Sequence, residues 1–124
     1  MNYLLVFLGG GLGSLLRYLT NLFCEKNISI FYPWATFFVN VAGSVFLGFC
    51  LGLFTHKFNN VDTSTKLFFT VGIAGGFTTF STFCNESANF IKGDYSHIAL
   101  LYIVLSVILG VLGIFAGHYL AKFV

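Results

Sequence analysis

Charge is the scarcest property of this chain. Of its 124 residues, six are Lys or Arg and four are Asp or Glu, 8% in all. A soluble domain clothes its surface with about a quarter charged residues. The shortage excludes an ordinary soluble enzyme and a nucleic-acid binder. Disorder is excluded too, because it needs low hydrophobicity, and 57% of this chain is hydrophobic. Cysteine is sparse: Cys24, Cys50 and Cys84 are odd in number and lack C-x-x-C spacing. They offer neither a disulfide framework nor a zinc site. The one proline, Pro33, suits the start of a helix. What remains is a small integral membrane protein.

The few charges mark out its spans. Residues 1–16, 27–56, 67–85 and 95–121 carry none. A membrane-spanning helix needs about 20 apolar residues. The sequence therefore predicts an all-α membrane protein with four transmembrane helices near 3–23, 33–55, 67–91 and 97–121, forming one domain over 1–124. No stretch alternates as a barrel strand would. The first apolar run lacks a basic leader and a small-x-small cleavage site, so it reads as a retained span. Two N-x-S sequons occur, Asn27-Ile28-Ser29 and Asn85-Glu86-Ser87. The second falls at a helix end near the membrane and reads as chance.

Basic charge is balanced across the bilayer. Four spans put Lys57, Lys66 and Lys122 on one side, and Arg17, Lys26 and Lys92 on the other. The positive-inside rule orients a chain through a bias in such charge, and here there is none. The reading is dual topology, with an inverted copy as partner. Each predicted span also holds one G-x-x-x-G pair: Gly9/Gly13, Gly48/Gly52, Gly72/Gly76 and Gly113/Gly117. In lipid, close backbone approach carries much of helix association. One pair per span suggests a compact bundle and an oligomer. Gly9-Gly10-Gly11-Leu12-Gly13-Ser14 is no dinucleotide fingerprint, because Ser14 stands at the third glycine position and no strand precedes it.

The third span holds the most unusual chemistry. Gly75-Gly76-Phe77-Thr78-Thr79 is a poor helix interior. A break in lipid requires partners for the freed backbone groups, and a cation held by carbonyls is one solution. Ser/Thr back-bonding within a continuous helix is the other. These residues alone leave both open. Phe80 and Phe83 share a helix face, either as packing residues or with ring edges in a pore. The edge carries the positive end of the ring quadrupole and can touch an anion. Asn40 in span two, with Tyr102 and Ser106 in span four, could add uncharged donors. Arg17 and Glu86 are the ionisable residues best placed to reach membrane depth.

These pieces are Gly10-Gly11-x-Gly13-x-x-x-Arg17-Tyr18, Pro33-x-x-Thr36-x-x-x-Asn40-x-x-Gly43-Ser44, and Gly75-Gly76-Phe77-Thr78-Thr79-Phe80-Ser81-Thr82-Phe83-x-x-Glu86. Together they resemble the small fluoride channels of the CrcB/Fluc family over nearly the whole chain. The resemblance implies an antiparallel, dual-topology homodimer in the prokaryotic plasma (inner) membrane. It implies two narrow fluoride pores, each built from both subunits, with the third helix broken near mid-membrane. A structural sodium ion at the dimer centre would be held by carbonyls of Gly75 and Thr78. Phe80 and Phe83 are implied to line the anion path edge-on, together with Asn40, Tyr102, Ser106, Thr36 and Thr79. Arg17 is implied to lie near the pore entrance. Two departures stand out: Ala35 replaces a glycine, and Gly110 stands where some members carry a further hydroxyl.

Passive flux is the expected mode, since no nucleotide site and no mid-membrane carboxylate for proton coupling are evident. Two alternatives differ in class. A small multidrug transporter shares the architecture but needs a carboxylate in span one, where none occurs. A non-transporting assembly subunit would need the glycines but leaves Asn40 and the third-span motif unexplained. Enzymatic function is not expected: Ser81 lacks a nucleophile elbow, and His56, His97 and His118 lie at span ends without metal-ligand spacing.

Overall fold

The computed structural model describes residues 1–28 and 31–124, so Ser29 of the Asn27-Ile28-Ser29 sequon lies outside the described residues. Within them the chain is helical, without strands. Helix α1 is Asn2–Asn27 and α2 is Trp34–His56. The third span, Thr63–Lys92, is composite. It runs as α3 (Thr63–Leu67), a π-helical segment (Phe68–Ala74), α4 (Gly75–Phe77) and α5 (Phe80–Lys92). Helix α6 is Ser96–Leu120. All four spans are long and apolar enough to cross a membrane.

Two spans match the sequence expectation to a residue, and two run about a turn longer. Helix α1 continues through Glu25 and Lys26, since charge ends a bilayer span but does not end a helix. The third span starts early because Asp62 caps it. Its carboxylate accepts from Thr65 N (3.0 Å) and Thr65 Oγ1 (2.7 Å), satisfying helix-start donors. Those bonds hold the Asp62 carboxyl below its ordinary range. Pro33 stands just before α2, where its carbonyl accepts from Phe37 N at 3.0 Å.

The glycine pairs zip the spans together two by two. Helix α1 lies parallel to the third span, with Gly9 against Gly72 and Gly13 against Ile73 and Phe77. A Cβ on Gly9 would sit 2.6 Å from Phe68 O, and one on Gly76 2.5 Å from Gly10 O. Helix α2 lies parallel to α6 in the same way: Gly48 abuts Ile114, Gly52 abuts His118, and Gly117 abuts Val45 and Phe49. All four pairs are thus occupied within one subunit, so the oligomer suggested by their pattern needs another surface. Large apolar residues such as Phe7 and Phe115, 74% and 68% exposed, cover the outer faces of α1 and α6.

Gly110 provides a contrast. A Cβ there meets only Ser44 Oγ, at 3.6 Å, whereas one on Gly117 drives into backbone atoms of Val45 and Phe49. Gly117→Ala should therefore lower unfolding stability in detergent by about 1–3 kcal/mol, the usual cost of overpacking. Gly110→Ala should stay within about 0.5 kcal/mol of the parent. Equal stability of the two variants would refute this packing.

The break falls one step later than the glycines. Gly75 and Gly76 remain helical, while Thr78 (φ −83°, ψ 160°) and Thr79 (φ −150°, ψ 119°) are extended. β-Branched residues favour that region, and Gly76 is needed for contact with α1. Thr79 then restarts the helix as the cap of α5, its hydroxyl accepting from Thr82 N at 3.4 Å.

Candidate functional site

Asn40, on α2, pins the break. Its Oδ1 accepts from Thr79 N at 2.8 Å and its Nδ2 donates to Thr79 O at 3.0 Å. One amide thus satisfies both backbone groups of an extended residue inside the membrane, as the bilayer requires. The Nδ2 group carries a second N–H. A continuous α-helix would direct Thr79 N to Gly75 O, so the clamp deprives Gly75 O of its helical donor. Thr78 O accepts from Arg17 Nη1 at 3.4 Å. Arg17 lies one turn beyond Gly13 on the helix that packs against α4, and this places its guanidinium at the break.

A cavity of about 280 Å³ opens on this side, lined in part by Asn40, Gly75, Thr78, Thr79 and Phe80. Gly75 is exposed, and a Cβ there would meet nothing closer than 4.0 Å. No packing inside the subunit requires a glycine at this position. Among the described residues no cluster of three His, Cys, Asp or Glu could hold a metal. A hard cation takes oxygen ligands, and the carbonyls of Gly75 and Thr78, two residues that line this cavity, are of that chemistry. The Arg17 bond to Thr78 O is long, and a carbonyl oxygen has a second lone pair.

Beyond the break, α5 carries Phe80, Phe83 and Glu86 at successive turns. The two rings touch, with centroids 6.0 Å apart and a tilt of 39°, but their surroundings differ. Phe83 is 9% exposed and packs on Tyr102 at 5.1 Å; Phe80 is 77% exposed. Glu86 is the residue that sequence reasoning left out of the site. Its carboxylate accepts from the hydroxyls of Thr36 (2.8 Å) and Tyr102 (2.8 Å). The span-two threonine and the span-four tyrosine are thus joined by an anion from the third span. Glu86 was expected to reach membrane depth, and it lies half-buried in the last turns of the third span, where two hydroxyl donors make its placement tolerable. Its expected reach to membrane depth and its place at the end of the third-span motif were the sequence signals that pointed to it.

Ser106 lies one turn along α6 from Tyr102. It is 9% exposed, and its Oγ is buried without a hydrogen-bond partner. Such a group is costly unless something else supplies the bond. At the Gly110 departure, α2 offers a hydroxyl instead: Ser44 Oγ faces this position and donates to Asn40 O at 2.8 Å. Ala35 lines a second cavity, of about 480 Å³, which has Tyr32, Trp34, Thr36 and Glu86 in its wall.

The chain is thus a small helical multi-pass membrane protein with an interrupted third span and a row of uncharged donors at its polar centre. It belongs to the CrcB-like family: the family model described as CrcB-like protein, Camphor Resistance (CrcB), matches residues 4–118. The chain is 43% identical over 120 residues to the fluoride-specific ion channel FluC of Bacteroides fragilis, covering 94% of this chain and 93% of that one. It is 44% identical over 117 residues to the protein of the same name from Flavobacterium psychrophilum, covering 94% of each. Fluoride-specific ion channel FluC 2 of Nitrobacter hamburgensis is 39% identical over 122 residues, with 98% of each covered.

Proposed function

We propose that this chain forms a passive, fluoride-selective channel that lets fluoride leave the cytoplasm and relieves its toxicity. It is a channel of the plasma membrane, not an enzyme. The observation that carries the reading is the buried Ser106 hydroxyl, left without a hydrogen-bond partner one turn along α6 from Tyr102. The hydroxyls of Thr36 and Tyr102 donate to Glu86, so Ser106 is the hydroxyl left to donate to a small anion in transit, and the Phe83 ring packs on Tyr102 nearby. The clamp at Thr79 leaves the second N–H of Asn40 for the ion. Relatives named fluoride-specific ion channels support the choice of anion.

Removing water from a bare anion in a dry medium costs tens of kcal/mol. The pore must replace that water without charges that would trap the ion. Hydroxyls and an amide donate hydrogen bonds, and ring edges of Phe80 and Phe83 present positive quadrupole. Chloride is larger and is excluded by the constriction between the rings. Arg17 raises the local potential for anions. Fluoride enters cells as the neutral acid and is trapped as the anion. A negative-inside potential then favours its exit by about 2.3 kcal/mol per 100 mV.

The functional unit is an antiparallel homodimer with two pores, each single domain spanning residues 1–124. The balanced basic residues support the inverted pairing. The exposed Phe80 ring supports completion of each pore by a second copy, and membrane lipid covers the remaining apolar faces. Carbonyls of Gly75 and Thr78 would hold a structural sodium ion, which supplies positive charge where the two broken helices meet.

Fluoride-electrode recording of efflux from liposomes holding this protein alone tests the reading. Rapid fluoride efflux without chloride efflux is expected. Leakage of both ions, or of neither, would overturn it.

A further inference from the structure

The last turns of α2 and α6 bring together two histidines 62 residues apart in the chain. His56 Nε2 and His118 Nε2 lie 3.3 Å apart, with the rings edge-to-face at 64° and 5.0 Å between centroids. We infer that His56 and His118 form a two-imidazole site for a divalent transition metal that clips α2 to α6. Two nitrogens each about 2.0–2.1 Å from a tetrahedral metal stand about 3.3–3.4 Å apart. The rings therefore already hold the spacing that a metal bite requires. In the metal-free pair one Nε2 donates to the other. Ligation needs both Nε2 lone pairs, so the donating ring moves its hydrogen to its own Nδ1, a change of tautomer only.

The spacing is set by the backbone. Gly52 lies one turn before His56, and a Cβ there would come 2.9 Å from His118 O. Close packing of the helices thus fixes the rings before any ligand arrives. The negative ends of two helix dipoles meet at this point, which favours a cation. The neighbouring ammonium groups are engaged elsewhere: Lys57 Nζ donates to Val124 O at 2.6 Å, and Lys122 Nζ lies 5.7 Å from the centre of the Tyr119 ring. His56 is exposed and His118 half-buried, which leaves room for water to complete the coordination. The site is separate from the proposed pore, since His56 is about 24 Å along α2 from Asn40 at the helical rise.

Imidazole ligands suit Cu²⁺, Ni²⁺ and Zn²⁺, and affinity rises from Co²⁺ through Ni²⁺ to Cu²⁺. The test is calorimetric titration of tag-free protein in detergent with each metal, together with electron paramagnetic resonance of the Cu²⁺ form. One metal per chain is expected, with two imidazole nitrogens coupled to Cu²⁺. His56→Ala and His118→Ala should each weaken binding by more than about tenfold, while His97→Ala should leave it unchanged. Each variant should unfold at the parent temperature without metal, separating loss of ligand from loss of fold. Absence of binding by the parent, or parent-like binding by both His56→Ala and His118→Ala, would overturn the site.

Discussion

Phe83→Ile should cut fluoride efflux from liposomes by about a hundredfold, equivalent to about 2.7 kcal/mol of added barrier. Phe80→Ile should do nearly the same. Isoleucine is apolar but has no ring edge, so on the proposed path the anion would lose a positive quadrupole where it has little water. The pair is informative because the two rings differ so much in burial. Phe83 is 9% exposed against Tyr102, whereas Phe80 is 77% exposed. A purely structural role would make Phe83→Ile destabilising and Phe80→Ile nearly silent. A shared role in conduction makes both variants equally inactive while the protein stays folded and keeps the parent's oligomeric state. Efflux at the parent rate in both would remove the rings from the path.

Asn40→Leu should cause the largest loss of stability among the site residues, about 2–6 kcal/mol, and abolish flux with it. Leucine is close to asparagine in size, so the loss is one of hydrogen bonds rather than volume. Thr79 N and Thr79 O would both lose their partner. An unsatisfied buried backbone group costs about 1–3 kcal/mol, and inside a bilayer no water reaches it. Asn40→Asp separates the two bonds. It keeps an acceptor for Thr79 N but sets a carboxylate against Thr79 O, so it should also destabilise. Unfolding by SDS in mixed micelles reads both variants. Parent-like unfolding of Asn40→Leu would mean that the break is held in some other way.

The spans were legible in the sequence because lipid excludes charge so strongly that ten charged residues suffice to bracket them. The break was legible in place, within residues 75–79, but not in which of those residues leave the helix: the glycines stay helical and the threonines are extended. The π-helical segment Phe68–Ala74 had no local signal; glycines bring it against α1. Pairing of the glycine motifs was equally hidden, since spacing identifies a smooth helix face but not its neighbour. Glu86 between Thr36 and Tyr102, and His56 beside His118, depend on the rotation of helices about their axes. That rotation is set by packing, which a linear spacing rule cannot see. Arg17 was placed near an entrance by resemblance, and its guanidinium lies against the break.

Thr79 is held at three points, its N–H, its carbonyl and its hydroxyl. A hinge works only if the moving residue has a second set of partners of similar energy. Thr79 has its bonds in one arrangement, supplied by a side chain from another helix and by the turn that it caps. The interruption in the third span is therefore a fixed joint rather than a swivel. Gating at this joint would fall to the side chains around it, with the backbone at the break standing still.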